Sequence, residues 1–129
     1  MSAPPPFLFA SLTVAAGGAV GAWLRFATGR LIGASAFPYA TLTVNLLGSL
    51  AMGLLAGWLA RHGQGSEGWR LLLGVGLLGG FTTFSAFSLE IALMIERGAT
   101  AQAALYVALS LIGGVAGLFA GLAVARGLA

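Results

Sequence analysis

A chain of 129 residues that is 59% hydrophobic and only 7% charged cannot cover itself with a water-facing surface. A soluble domain spends about a quarter of its residues on charge, so the main solvent here is lipid. The six cations are all arginine, scattered singly with no basic stripe, which argues against nucleic acid as a partner. With no cysteine, disulfide and thiolate chemistry are excluded.

Four apolar runs are long enough to cross a bilayer core, which takes about 20 helical residues. The first extends from about Phe7 to Leu31. Pro4, Pro5 and Pro6 cannot sit inside a helix and hold its start back to Phe7. With no basic segment ahead of it, the run reads as a retained span rather than a cleaved leader. Arg25, near its end, reads first as an interfacial anchor and second as a positive lure for anions at a vestibule.

The second span runs from Tyr39 to Ala60 and carries Asn45 about 9 Å along the helix from Tyr39, with Thr41 one turn away on the same face. An amide at that depth needs partners, so Asn45 either ties helices together or lines a polar track. The loop Arg61–Arg70 is polar, and His62 in it reads as solvated.

The third span, Leu71 to Ile95, contains LLGGFTTFSAFSLE over residues 77–90. Gly79 and Gly80 strip side chains from mid-span, and Thr82, Thr83, Ser85 and Ser88 follow. That combination predicts a helix broken near its middle, with carbonyls released for other duties. Irregular backbone at membrane depth is tolerated only where protein buries it or an aqueous path uses it. Phe81, Phe84 and Phe87 share one face of any helical portion, and their positive ring edges suit an anion without supplying full charge. Glu90 is the one acid well inside a span; it reads as a pinning hydrogen bond or ion pair, or as a carboxylate that gates or couples protons.

The fourth span runs from about Ala103 to Ala125. Tyr106 and Ser110 lie four apart, with Gly114 and Gly117 continuing their face. A tyrosine so near a helix start reads as an interfacial anchor or as the first member of a polar face. Small residues at four-residue spacing (Gly17 and Gly21; Ser49, Gly53 and Gly57; Gly113, Gly117 and Gly121) predict close helix packing, and they suit a dimer.

The chain thus reads as an all-α membrane protein, one four-span domain over residues 1–129 with short connections. Four spans put Arg61, Arg70 and Arg126 on one side and Arg25, Arg30 and Arg97 on the other. An even split leaves no positive-inside bias and predicts dual topology, hence an antiparallel homodimer. Catalysis is not expected: no nucleophile has a base near it in the sequence, and no His/Asp/Glu cluster suits a transition metal. A dual-topology drug exporter is a rival, yet it would use a first-helix acid that span one lacks. A proton-coupled exporter using Glu90, or a subunit whose polar groups only hold helices together, are the others.

GGAVGAWLR (17–25), TLTVNLLGS (41–49) and GGFTTFSAFSLE (79–90) resemble, in order and spacing, the signature stretches of the CrcB/Fluc fluoride channels. The resemblance implies a fluoride-selective channel, an antiparallel dual-topology homodimer in a prokaryotic cell (inner) membrane, passively exporting fluoride from the cytoplasm and so lowering its toxicity. It implies that Asn45 donates to fluoride while Phe84 and Phe87 present ring edges to it. Thr41, Ser85, Tyr106 and Ser110 become further liners, and Arg25 and Glu90 match the family pattern. The carbonyls of Gly79 and Thr82 would hold a structural sodium at the dimer centre. Ala86 departs from the usual threonine, and Gly114 stands where some relatives have serine.

Overall fold

The computed structural model describes residues 3–127. Four helical stretches among them are long and apolar enough to span a membrane. We number the helices α1 (Phe7–Ile32), α2 (Tyr39–His62), α3 (67–81), α4 (Phe84–Glu96) and α5 (Thr100–Gly127); α3 and α4 together make the third span.

Helix limits follow local chemistry. α1 starts directly after Pro6, whose extended backbone (φ −52°, ψ 142°) cannot continue a helix backwards. It stops at Gly33, which takes φ +81° and returns its N–H to the Gly29 carbonyl at 3.0 Å. Gly98 does the same service between α4 and α5, again at φ +81°. The third and fourth spans are longer than the apolar runs alone predict. Glu67 and Thr100 start helices whose first turns need not be apolar, because they extend past the hydrocarbon.

Within α3, residues Arg70–Leu78 form a π-helix, a wide-turn conformation that is rare at this length. Its backbone lies directly on α1. A Cβ on Gly76 would come within 2.9 Å of the Val14 carbonyl and 3.0 Å of the Gly17 Cα, and one on Gly21 would strike the Leu77 carbonyl. α2 lies on α5 in the same manner, a Cβ on Gly53 running into the Leu118 carbonyl. The small-residue ridges are therefore consumed within the chain, pairing α1 with α3 and α2 with α5.

The third span is interrupted as expected, but not at the glycines. Gly79 and Gly80 stay helical, with Gly80 seated against Gly18 of α1. Thr82 (φ −84°, ψ 157°) and Thr83 (φ −150°, ψ 121°) are the extended residues that separate α3 from α4. Much of the outer surface is large apolar side chain, including Phe7, Leu31 and Ile112, as a bilayer solvent requires.

Candidate functional site

The break between α3 and α4 leaves main-chain groups that a continuous helix would have paired. Asn45 of α2 takes two of them: its Nδ2 donates to the Thr83 carbonyl at 2.9 Å, and its Oδ1 accepts the Thr83 N–H at 2.8 Å. This closed clasp commits one of the two amide N–H groups and leaves the second available. Thr83 then caps α4, its Oγ1 accepting the Ala86 N–H at 3.1 Å and lying 3.4 Å from the Ser85 Oγ. Ala86 thus contributes through its main chain. Thr82 and Ser88 turn their hydroxyls back to the carbonyls of Leu78 and Phe84, both at 2.9 Å.

These diversions have a consequence for two carbonyls. In an unbroken helix the Gly79 oxygen would accept from the Thr83 N–H, and the Thr82 oxygen from the Ala86 N–H. Here the first donor goes to Asn45 and the second to the Thr83 hydroxyl. Both carbonyls lose their helical partners through side chains.

One turn along α2 from Asn45 lies a second polar centre. Thr41 donates to Glu90 Oε1 at 2.5 Å and Tyr106 donates to Glu90 Oε2 at 2.7 Å, so one carboxylate joins α2, α4 and α5. Glu90 makes no ion pair; Glu67 with Arg70 is the salt bridge found among the described residues. Tyr106 is 0% exposed, which overturns the reading of it as an interfacial anchor. Its position in the sequence suggested the membrane edge, but the hydroxyl's partner lies inside. Its ring meets Phe87 edge-on (5.0 Å, 63°) and Phe37 likewise (5.6 Å, 71°), forming with Met94 and Ala103 the main buried cluster.

Two cavities open on these helices. One, of about 250 Å³, is bounded by Phe37, Tyr39, Thr41, Glu90, Met94 and Arg97. The other, of about 290 Å³, is bounded by Asn45, Ser49, Met52, Thr83, Phe84 and Leu118. Phe84 is tilted 43° to Phe87 at 5.7 Å and is 77% exposed in the single chain. Phe81 is cut off from the other two rings by the break. The Ser110 hydroxyl oxygen, one turn beyond Tyr106, is buried without a hydrogen-bond partner. Arg25 Nε is also buried and unpartnered, and Arg25 makes no bond to Glu90. A Cβ on Gly114 would sit 3.5 Å from the Ser49 Oγ, an ordinary contact that leaves room for a serine there.

The sequence grouped Thr41, Asn45, Phe84, Ser85, Phe87, Tyr106 and Ser110 and set Glu90 apart with Arg25; the structure instead bonds Glu90 to Thr41 and Tyr106, beside Phe87 and one turn from Asn45. Sequence reasoning missed Thr83 as the hub of the break and Phe37 as the third ring on Tyr106. A threonine three residues ahead of Ala86, where a helix restarts after an interruption, was the available signal for Thr83.

Comparison with known proteins adds an independent line. Residues 12–122 match the family model described as CrcB-like protein, Camphor Resistance (CrcB). A protein of Novosphingobium aromaticivorans called fluoride-specific ion channel FluC is 58% identical over 125 residues, covering 93% of this chain and 98% of that one. Proteins of the same name from Erythrobacter litoralis and Rhodospirillum centenum are 54% identical over 134 residues and 55% over 118. The alignments cover 98% of both chains in the first case, and 89% of this chain and 94% of the relative in the second.

Proposed function

The chain belongs to the CrcB family, and from that premise we propose that it is a fluoride-selective membrane channel, not an enzyme, that lets fluoride leave the cytoplasm passively and so lowers its toxicity. One observation carries the reading: polar groups and aromatic edges share neighbouring levels of three helices, with Thr41 on the wall of one cavity and Asn45 and Phe84 on the wall of the other. Asn45, Ser85 and Ser110 supply amide and hydroxyl groups, and Phe84 and Phe87 supply rings. Thr41 and Tyr106 line the same levels with hydroxyls that donate to Glu90 and would have to turn from it to meet an anion.

Fluoride is small and strongly hydrated, so a dry apolar pore rejects it. A series of weak donors replaces its water in steps, whereas a fixed cation would hold it too tightly for conduction. The second N–H of Asn45 and the unpartnered Ser110 hydroxyl are donors of this type. Arg25 and Arg97 serve at the approaches, raising the local anion concentration.

The working unit is a homodimer in antiparallel, dual-topology arrangement, in the inner membrane of a prokaryote. Support comes from the even division of arginines and from Phe84, which stands exposed beside a polar cavity at membrane depth. The carbonyls of Gly79 and Thr82, stripped of helical donors, suit a hard monovalent cation. With the same pair from a second copy they would hold a structural sodium, which supplies positive charge that fixes the breaks against each other.

Proton-coupled export through Glu90 is the rival reading, although the two hydrogen bonds it accepts from Thr41 and Tyr106 favour a carboxylate that pins α2, α4 and α5. Liposomes loaded with potassium fluoride separate the two readings. A channel releases fluoride rapidly only after valinomycin provides a path for potassium. Release without valinomycin, with a change in luminal pH, would establish coupling instead.

A further inference from the structure

A second constellation lies at the end of the bundle where α2 and α5 finish and α3 begins. Arg61 donates through Nη2 to the main-chain carbonyl of Arg126, which pins its guanidinium across the two helix ends. His62 stacks on Trp58 with ring centres 4.3 Å apart, and Trp69 meets Trp58 edge-on at 6.5 Å. A carbonyl only accepts, so the 2.8 Å contact from His62 Nδ1 to the Trp58 oxygen places the proton on Nδ1. The contact and the stacking fix the histidine ring as a wall of the site. Beneath Arg61 a groove of about 410 Å³ continues along Leu54, Trp58 and Ala125. Among the described residues, Glu67 is the acid at this end, and it is already bound to Arg70 at 2.7 Å rather than to Arg61.

We propose that this groove is a binding site for one anionic phospholipid, its phosphodiester on the Arg61 guanidinium and an acyl chain along Leu54, Trp58 and Ala125. Three features select this occupant. The site combines an arginine with tryptophans at the end of a span, the level of lipid headgroups. Its floor is apolar, which a free phosphate would not use. Its mouth is positive, so the same face of a second copy would be repelled. The role is anchoring at the membrane surface and stands independently of the fluoride pathway.

The test counts lipids bound to the purified, detergent-extracted protein by native mass spectrometry, after incubation with dioleoylphosphatidylglycerol or dioleoylphosphatidylcholine. The glycerol lipid is retained in preference, and Arg61→Gln, which keeps a donor for the Arg126 carbonyl, lowers that preference about fivefold. Trp58→Ala lowers retention of both lipids. The unmodified protein gives a parallel reading: phosphatidylglycerol with brominated chains quenches tryptophan fluorescence more than brominated phosphatidylcholine at equal mole fraction. Equal quenching, or equal retention by parent and Arg61→Gln, would overturn the proposal. So would displacement of the lipid by millimolar inorganic phosphate, which would assign the arginine to the free ion. Copy-to-copy crosslinking through Leu54→Cys would give the groove to a second protein chain and equally refute it.

Discussion

Replacing Asn45 by leucine removes both bonds of the clasp, to the Thr83 carbonyl at 2.9 Å and from the Thr83 N–H at 2.8 Å. Leucine is close in size and welcome in lipid, so the change tests the hydrogen bonds rather than tolerance for the side chain. Two main-chain groups at the break are then left without their side-chain partner. At about 1–3 kcal/mol each, the expected loss is about 2–6 kcal/mol, a large share of an ordinary folding stability. Thr83→Ala is the matched control: it deletes the cap on the Ala86 N–H but leaves the clasp, which uses main-chain atoms of residue 83. Its cost should be near 1 kcal/mol. Denaturant titration in mild detergent, followed by tryptophan fluorescence, measures both. If Asn45→Leu unfolds within about 0.5 kcal/mol of the parent, or no more easily than Thr83→Ala, the clasp does not hold the break and the reasoning fails.

Other consequences are as definite. Tyr106→Phe keeps the ring contacts with Phe87 and Phe37 but strips one bond from Glu90, and should cost about 1–3 kcal/mol in the same titration. Gly21→Ala drives a methyl into the Leu77 carbonyl and should destabilise by about 1–3 kcal/mol, whereas Gly29→Ala, with open space around it, should be neutral or stabilising by up to about 1 kcal/mol. Phe87→Leu retains bulk but removes the ring edge; at about 0.5–1.5 kcal/mol the fluoride efflux rate should fall about 2- to 12-fold, with the purified protein still monodisperse.

The spans were legible because a helix must present some 20 apolar residues to lipid, a demand written along the chain itself. What pairs across the chain was not. LLGGFTTFSAFSLE announced an interruption, yet both glycines that seemed to mark it stay helical, Gly80 serving the packing of α3 on α1, and the extended residues are Thr82 and Thr83. Their conformation is held by Asn45, 38 residues earlier, a partnership that no local propensity encodes. Tyr106 illustrates the same limit: near a helix start it has the address of an interfacial anchor, and only the arrival of Glu90 and Phe87 from α4 explains its burial. The π-helix of Arg70–Leu78 left no local signature either, since it expresses the contact with Gly17 and Gly21.

Selective passage of fluoride is the central claim, and the current reversal potential of the protein in a planar bilayer tests it most directly. With a tenfold gradient of potassium fluoride and equal chloride on both sides, the current should reverse about 59 mV from zero, with the sign set by the fluoride gradient. Reversal near zero, reversal of the opposite sign as potassium would dictate, or a value that follows an imposed pH difference would contradict a fluoride-selective channel.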